Sequence, residues 1–335
     1  MGVLILYTHL LILTKFLFYG IMDLIKDIKE LVHMDNIVPI NKETGEIIED
    51  GYVIFTTEQL AEYRKKKENK EFKNTKINED YKEYGRFIWV IYNMGQLLFD
   101  GKISGATLTK IVYLSTYIRY SDAEYRNIIE DGKIKWIGLT SDNNKPITKN
   151  NIHNILNISE KSVAQFLKTP IKNEIIYIKD NLVYMNSKYI SKGNINKIKY
   201  NRKDTVSRIY IDAIRNLYKG ASLNEHNLLS YFFLMIPYLN LEWNVLCYNQ
   251  EEKEIKDIEQ MSLNEFCSII GYNKTHISSL IKKLLTIKIG DKSAISITLF
   301  GDEAYVFINP EAFYAGTHHK EIANIANFRC PEKRK

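Results

Sequence analysis

Along this chain, runs with an apolar residue every three or four positions alternate with short runs that are apolar or β-branched almost throughout. The first pattern predicts amphipathic helices and the second predicts strands. The order of these runs repeats, and repetition sets an architecture before any single element does. Aligned without gaps at an offset of 114, PITKNNIHNILNISEKSVAQFLK (146–168) and QMSLNEFCSIIGYNKTHISSLIK (260–282) share their apolar positions. Ile152 falls on Phe266, Ile155 on Ile269, Leu156 on Ile270, Val163 on Ile277, Phe166 on Leu280 and Leu167 on Ile281, with Lys168 on Lys282. Upstream, at a different offset, Tyr117-Ile118 matches Tyr238-Leu239. Downstream, YMNSKYISKG (184–193) falls on FINPEAFYAG (307–316) with an Asn and a Gly in register.

Each half therefore predicts one series of elements. A long apolar helix (108–118 or 228–239) is followed by a variable insertion (121–145 or 240–259) and a short helix (148–156 or 262–270). A tight turn at Asn157 or Gly271 leads to a second helix, 160–168 ended by Pro170, or 274–285. Two strands then pair as a hairpin around Asp180-Asn181 or Gly301-Asp302, residues that accept the turn's positive φ. Helix, helix–turn–helix and hairpin is the winged-helix order. The expected fold class is mainly α with small β-hairpins, an α+β chain of tandem winged helix-turn-helix domains at 85–193 and 221–320. Between them, DTVSRIYIDAIRNLYKG (204–220) is predicted to be a helix within a basic linker (194–220), with Arg208 and Asp212 paired on its outer face. An analogous helix, 86–99, opens the first half.

Residues 34–84 read as a polar N-terminal region and charged linker, with 57–84 a solvated helix or linker, and 321–335 as a tail. Val3 to Ile21 is nearly unbroken apolar sequence interrupted by Lys15, without a basic lead or a small-residue cleavage site. Residues 1–33 are read as a start assigned too far upstream of Met22 or Met34. A membrane tether and a buried helix are the alternatives.

At 335 residues the chain accommodates two domains, and its 45% hydrophobic and 26% charged content is that of a folded protein. Three separated cysteines, Cys247, Cys267 and Cys330, form neither a disulfide framework nor a zinc spacing, so a reducing, cytoplasmic setting is expected. The net charge of +6 is concentrated: Lys188 to Lys219 holds nine basic residues and two acidic ones. Flanked by two helix–turn–helix units, that stretch is expected to meet DNA phosphates through Lys197, Lys199, Arg202, Lys203 and Arg208.

A helix that enters a major groove must present small polar and basic side chains outward. The second copy offers Asn273, Lys274, Thr275, His276, Ser278, Ser279, Lys282 and Lys283 around inward-facing Ile277, Leu280, Ile281 and Leu284. Asn273 suits a cap better than base readout. The first copy offers Lys161, Ser162, Gln165 and Lys168, but Glu160 would repel phosphate, so this copy is expected to lie less intimately on DNA or to serve partly as a dimer surface.

Enzyme signatures are missing: there is no GxxxxGK[ST], GxGxxG after a strand, GxSxG or HExxH. The adjacent pair His318-His319 does not provide the alternating histidines of a rolling-circle nickase. Cys267, His276, His318, His319 and Cys330 match no standard zinc spacing. No catalysis, metal or cofactor is expected. The abundance of Tyr leaves a strand-transfer enzyme as a rival, alongside a transcriptional regulator and a winged-helix protein-interaction module.

Over about 85–320, the paired helix–turn–helix units and the endings YMNSKYISKG and FINPEAFYAG resemble the two-winged-helix replication initiators of plasmids, phages and integrating elements of Gram-positive bacteria. The "INP…F…G" pattern after the second wing is similar to theirs. The resemblance implies a non-catalytic protein that binds repeated duplex DNA at an origin and engages the host replication machinery, alone or as a homodimer.

Overall fold

The computed structural model describes residues 38–41, 52–55, 57–91, 102–120, 127–193, 206–300 and 303–328. They fall into two units divided at Lys76/Ile77. In the first unit, strands β1 (Val38–Asn41) and β2 (Tyr52–Phe55) pair antiparallel. Helix α1 (Thr57–Tyr84) runs across the division; its composition, with Lys and Glu on every side, leaves no apolar stripe. The expectations for residues 1–33 lie outside the described residues.

The second unit is α+β, built from small antiparallel sheets and short helices. Its first half contains β3 (Phe87–Ile91), α2 (Gly105–Ser115), β4 (Ile128–Glu130), β5 (Lys133–Gly138), α3 (Ile152–Leu156) and α4 (Glu160–Lys172). These are followed by β6 (Ile176–Lys179), β7 (Leu182–Asn186) and β8 (Ile190–Ser191). Its second half contains β9 (Val206–Tyr210), α5 (Ile211–Gly220), α6 (His226–Phe233), α7 (Leu263–Ile269), α8 (Ile277–Leu284), β10 (Lys288–Ile289) and β11 (Lys292–Ser293). It closes with β12 (Ile295–Phe300), β13 (Glu303–Ile308), β14 (Phe313–Tyr314) and α9 (His319–Ile325).

Two of the predicted helices are corrected. Phe87–Ile91 is a strand, and so is Val206–Tyr210, with α5 beginning only at Ile211. The apolar spacing of 206–220 does fit a helix, but Val206, Ile209 and Tyr210 also suit a buried strand, and the partner that decides is 119 residues away at β3. These two strands form the centre of a sheet in the order β14-β9-β3-β8.

The pairing of β3 with β9 is self-symmetric. Phe87 faces Tyr210, Ile91 faces Val206, and Trp89 faces Arg208 at the middle, so exchanging the halves maps the ladder onto itself. On the outer sides, Trp89 pairs with Ser191 of β8 and Arg208 with Tyr314 of β14. The Trp89 indole Nε1 then donates to the Gly193 carbonyl at 3.1 Å, and the Arg208 guanidinium Nη2 donates to the Gly316 carbonyl. The glycine shared by the two sequence endings therefore accepts the same kind of bond in both halves.

The shared asparagine is equally explicable. Asn186 Nδ2 donates to the Glu174 carbonyl at 2.8 Å and its Oδ1 accepts from Lys188 N at 3.0 Å. Asn309 Nδ2 donates to the Ser293 carbonyl at 3.2 Å and its Oδ1 accepts from Glu311 N at 3.0 Å. Each side chain satisfies the backbone where the hairpin turns toward the central sheet.

The insertions also converge. β5 joins β7 to extend the first hairpin to the order β4-β5-β7-β6, and Val245 bridges Phe307 beside the second. Helices α2 and α6 cross so closely that a Cβ at Gly105 would run into Asn227 Oδ1 and Ser230 Oγ, while Thr109 Oγ1 donates to the His226 carbonyl at 2.6 Å. One apolar core, from Ile88 and Ile111 to Phe232, Phe266 and Phe313, runs through both halves. Among the described residues no helix is long and apolar enough to cross a membrane.

Candidate nucleic-acid interface

The two helix pairs that were expected to form helix–turn–helix units are built by the same local chemistry. In the first, Asn157 takes φ 51° to stop α3, and Ser159 caps α4 by accepting from Ser162 N at 3.2 Å. In the second, Ser262 and Glu265 form a reciprocal capping box at the start of α7, and Gly271 takes φ 67° at the turn. That backbone hydrogen bond from Ser262 holds the Glu265 carboxyl below its ordinary pKa. Asn273 Oδ1 accepts from Thr275 N at 3.1 Å and from Thr275 Oγ1 at 2.9 Å, so it caps the turn Lys274–His276 that leads into α8.

The apolar faces anchor these helices. Val163, Phe166 and Leu167 of α4 are buried, as are Ile277, Leu280 and Leu284 of α8. The opposite faces are open: Lys161, Ser162, Gln165 and Lys168 are exposed on α4, and so are Lys274, Thr275, His276, Ser278, Ser279, Lys282 and Lys283 on the second copy. Residues 274–284 carry three lysines and no acid. None of these lysines makes an ion pair among the described residues. Their charge is free to be neutralised by an outside anion, and that releases bound counterions. The Ser162 hydroxyl is shared with Ser159 Oγ at 2.8 Å, which limits what it offers a ligand.

Arg208, expected on the outer face of a linker helix, is corrected. It is 0% exposed in β9, where Nε donates to the Tyr314 carbonyl at 3.3 Å and the guanidinium lies 5.8 Å from the Phe87 ring centroid and 5.6 Å from that of Tyr314. A residue held in this way is part of the sheet and presents no charge to solvent. Its predicted partner Asp212 is exposed at the start of α5. Lys197, Lys199, Arg202 and Lys203 lie outside the described residues.

Pro170 does not end α4, which continues to Lys172 because Pro170 is itself buried on the apolar stripe beside Phe166 and Leu167. The extension adds exposed Lys172 to the open face, a residue hidden from sequence reading by the usual meaning of proline. Lys179, exposed at the end of β6, stands next to a hairpin turn in which Asp180 (φ 49°) and Asn181 (φ 63°) both adopt the left-handed region. The second hairpin's turn, Gly301-Asp302, lies outside the described residues, but Leu299 beside it is 71% exposed.

Of the residues weighed as metal ligands, Cys267, His318 and His319 are engaged elsewhere, His276 is exposed, and Cys330 lies outside the described residues. Cys267 is buried, and burial pushes its thiol up to about 11. His319 is buried and stacks on Tyr84 at 4.4 Å, whereas His318 stacks on Trp243 at 5.0 Å. Among the described residues no three His, Cys, Asp or Glu side chains cluster to hold a metal. Comparison with known protein families, characterised proteins and solved structures finds no match.

Proposed function

We propose that this chain is a sequence-specific duplex-DNA-binding protein whose two halves are winged helix-turn-helix domains, and that it acts as a replication initiator of a plasmid, phage or integrating element. The observation that carries the reading is the recurrence, in both halves, of a helix with a buried apolar stripe and an open face of unpaired lysines, entered through a side-chain cap at Ser159 or Asn273 and followed by a β-hairpin. In this reading α8 and the turn before it enter a major groove, with Lys274, Ser278, Ser279 and Lys282 toward the bases and phosphates. The hairpins touch the neighbouring backbone.

A second reading, for the first copy alone, draws on Glu160 in the first turn of α4 and on Ile171 (42% exposed) and Tyr177 (39% exposed) nearby. Acid repels phosphate and exposed apolar surface favours protein, so this half suits a second subunit or the replication machinery.

The test is footprinting and salt-dependent binding on the DNA flanking the gene. Lys274→Ala with Lys282→Ala is expected to weaken specific binding and to lower the salt slope by roughly 0.9 per lost phosphate contact. An unchanged slope sinks the interface. An origin-less plasmid carrying that flanking DNA replicates if the protein is an initiator and fails to replicate if it is a transcriptional regulator.

A further inference from the structure

Away from both open helix faces, a groove of about 180 Å³ lies between the end of α2, the 140–144 loop, the end of β8 and α5. Arg86, Arg119, Lys192 and Arg215 line it against one acid, Asp142. That acid is paired with one of them. Arg215 Nη1 is 2.8 Å from Asp142 Oδ1, its Nε donates to Thr116 Oγ1 at 3.0 Å, and its guanidinium sits 4.0 Å over the Tyr117 ring. Asp142 thus pairs directly with Arg215, and its charge acts on Lys192 less strongly than the Arg86 and Arg215 guanidinium groups do.

Lys192 is the unusual member. It is only 8% exposed and forms no ion pair among the described residues, with its Nζ 4.6 Å above the Tyr120 ring. Burial, together with Arg86 and Arg215, pushes its ammonium down to about 8. Thr140 also lines the groove, and its buried hydroxyl has no hydrogen-bond partner. A buried ammonium and an unsatisfied hydroxyl in one groove are costly unless something accepts from them. An oxyanion does both, because it neutralises the charge and takes several charge-assisted hydrogen bonds at once.

We propose that this groove binds a phosphate group, held by Lys192, Arg86 and the Thr140 hydroxyl, with Arg215 fixed behind them by Asp142. Across Tyr117, Ser141 and Asp142 it adjoins a larger groove of about 800 Å³ walled by Tyr113, Tyr218 and His226, which leaves room for whatever carries the phosphate. The ring stack there is tight, with Tyr113 on Tyr218 at 3.9 Å and Tyr218 on His226 at 4.3 Å. The phosphate belongs either to a small molecule or to a DNA backbone, and the proposal does not depend on α4 or α8 contacting DNA.

The experiment is calorimetric titration of the full chain with inorganic phosphate against chloride at matched ionic strength, with a short duplex as a second ligand. One saturable phosphate site is expected, weakened roughly tenfold or more by Lys192→Met and by Arg86→Gln. Arg86 is exposed, so its variant keeps the test valid should Lys192→Met fail to fold. Lys274→Ala with Lys282→Ala is expected to leave phosphate binding intact, which separates this site from the DNA-reading face. If phosphate alone does not saturate but both groove variants lower the duplex salt slope by about 0.9, the ligand is a backbone phosphate and the site stands. If wild type and variants respond alike to both ligands, the proposal is overturned.

Discussion

Arg208 offers the sharpest test of how this chain is put together, because a linker helix and a central strand predict opposite consequences for its loss. On a solvated helix, Arg208→Ala would alter stability by no more than about 0.5 kcal/mol and would weaken DNA binding. In the structure the side chain is fully buried and donates to the carbonyls of Tyr314 and Gly316 while lying against Phe87 and Tyr314. Truncation removes two charge-assisted bonds worth roughly 1.5–3 kcal/mol each, strips two carbonyls of a donor and opens a cavity the size of a guanidinium. These terms overlap, so about 3–5 kcal/mol is the expected loss. Against a total stability of about 5–15 kcal/mol that is a large fraction. Urea unfolding followed by circular dichroism measures it. Arg208→Lys should recover only part, since one ammonium cannot reach both carbonyls in the planar geometry of a guanidinium. A loss under about 1 kcal/mol, or a folded Arg208→Ala with normal stability and weakened DNA binding, refutes the sheet assignment.

Gly316→Ala should also destabilise, since its Cβ would stand 2.5 Å from the Leu241 carbonyl and 2.9 Å from the Glu242 Cα; thermal unfolding should show a cost of about 1–3 kcal/mol or more. Asn186→Ala and Asn309→Ala remove equivalent paired bonds in the two halves, and each should cost about 1–3 kcal/mol in urea titrations; a large difference between them would contradict the duplicated plan. Burial pushes the thiols of Cys247 and Cys267 up to about 12 and about 11 from an ordinary value of 9.0. Only the unfolded chain then releases these protons readily. Their contribution to stability is whole below pH 9 and falls as pH rises toward 11, by up to about 1.4 kcal/mol per thiol for each pH unit. Urea midpoints should stay level from pH 7 to near 9 and decline from there towards pH 11, less steeply in Cys267→Ala, and native protein at pH 8 should resist iodoacetamide.

The short helix pairs and their turns were legible because every feature that builds them is local. The stripe Val163, Phe166, Leu167 and its counterpart Ile277, Leu280, Ile281 read as one face at helical spacing, and Asn157 and Gly271 mark turns that need a positive φ. Their open faces follow by subtraction, so Lys161, Lys168, Lys274 and Lys282 were found. Lys172 was missed because Pro170 usually ends a helix, and only its burial on the stripe shows why it does not here. The second strands of the hairpins were legible from Asp180-Asn181, whereas β4 and β5 lay in what looked like a variable insertion.

Composition, repetition and short-range periodicity determined on their own that this chain carries two copies of one plan, where each helix pair turns, and which lysines point outward. The central sheet was settled only by the tertiary structure. Val206–Tyr210 satisfies helix and strand spacing equally, and it becomes a strand because Phe87–Ile91, far off in the chain, supplies its hydrogen bonds. The same pairing turns Arg208 from a surface cation into a buried tie to Gly316, and it helps bring Arg86, Lys192 and Arg215 around one groove. Spacing along a chain specifies which face a residue shares with its near neighbours, but burial and charge compensation depend on what the distant chain brings against that face.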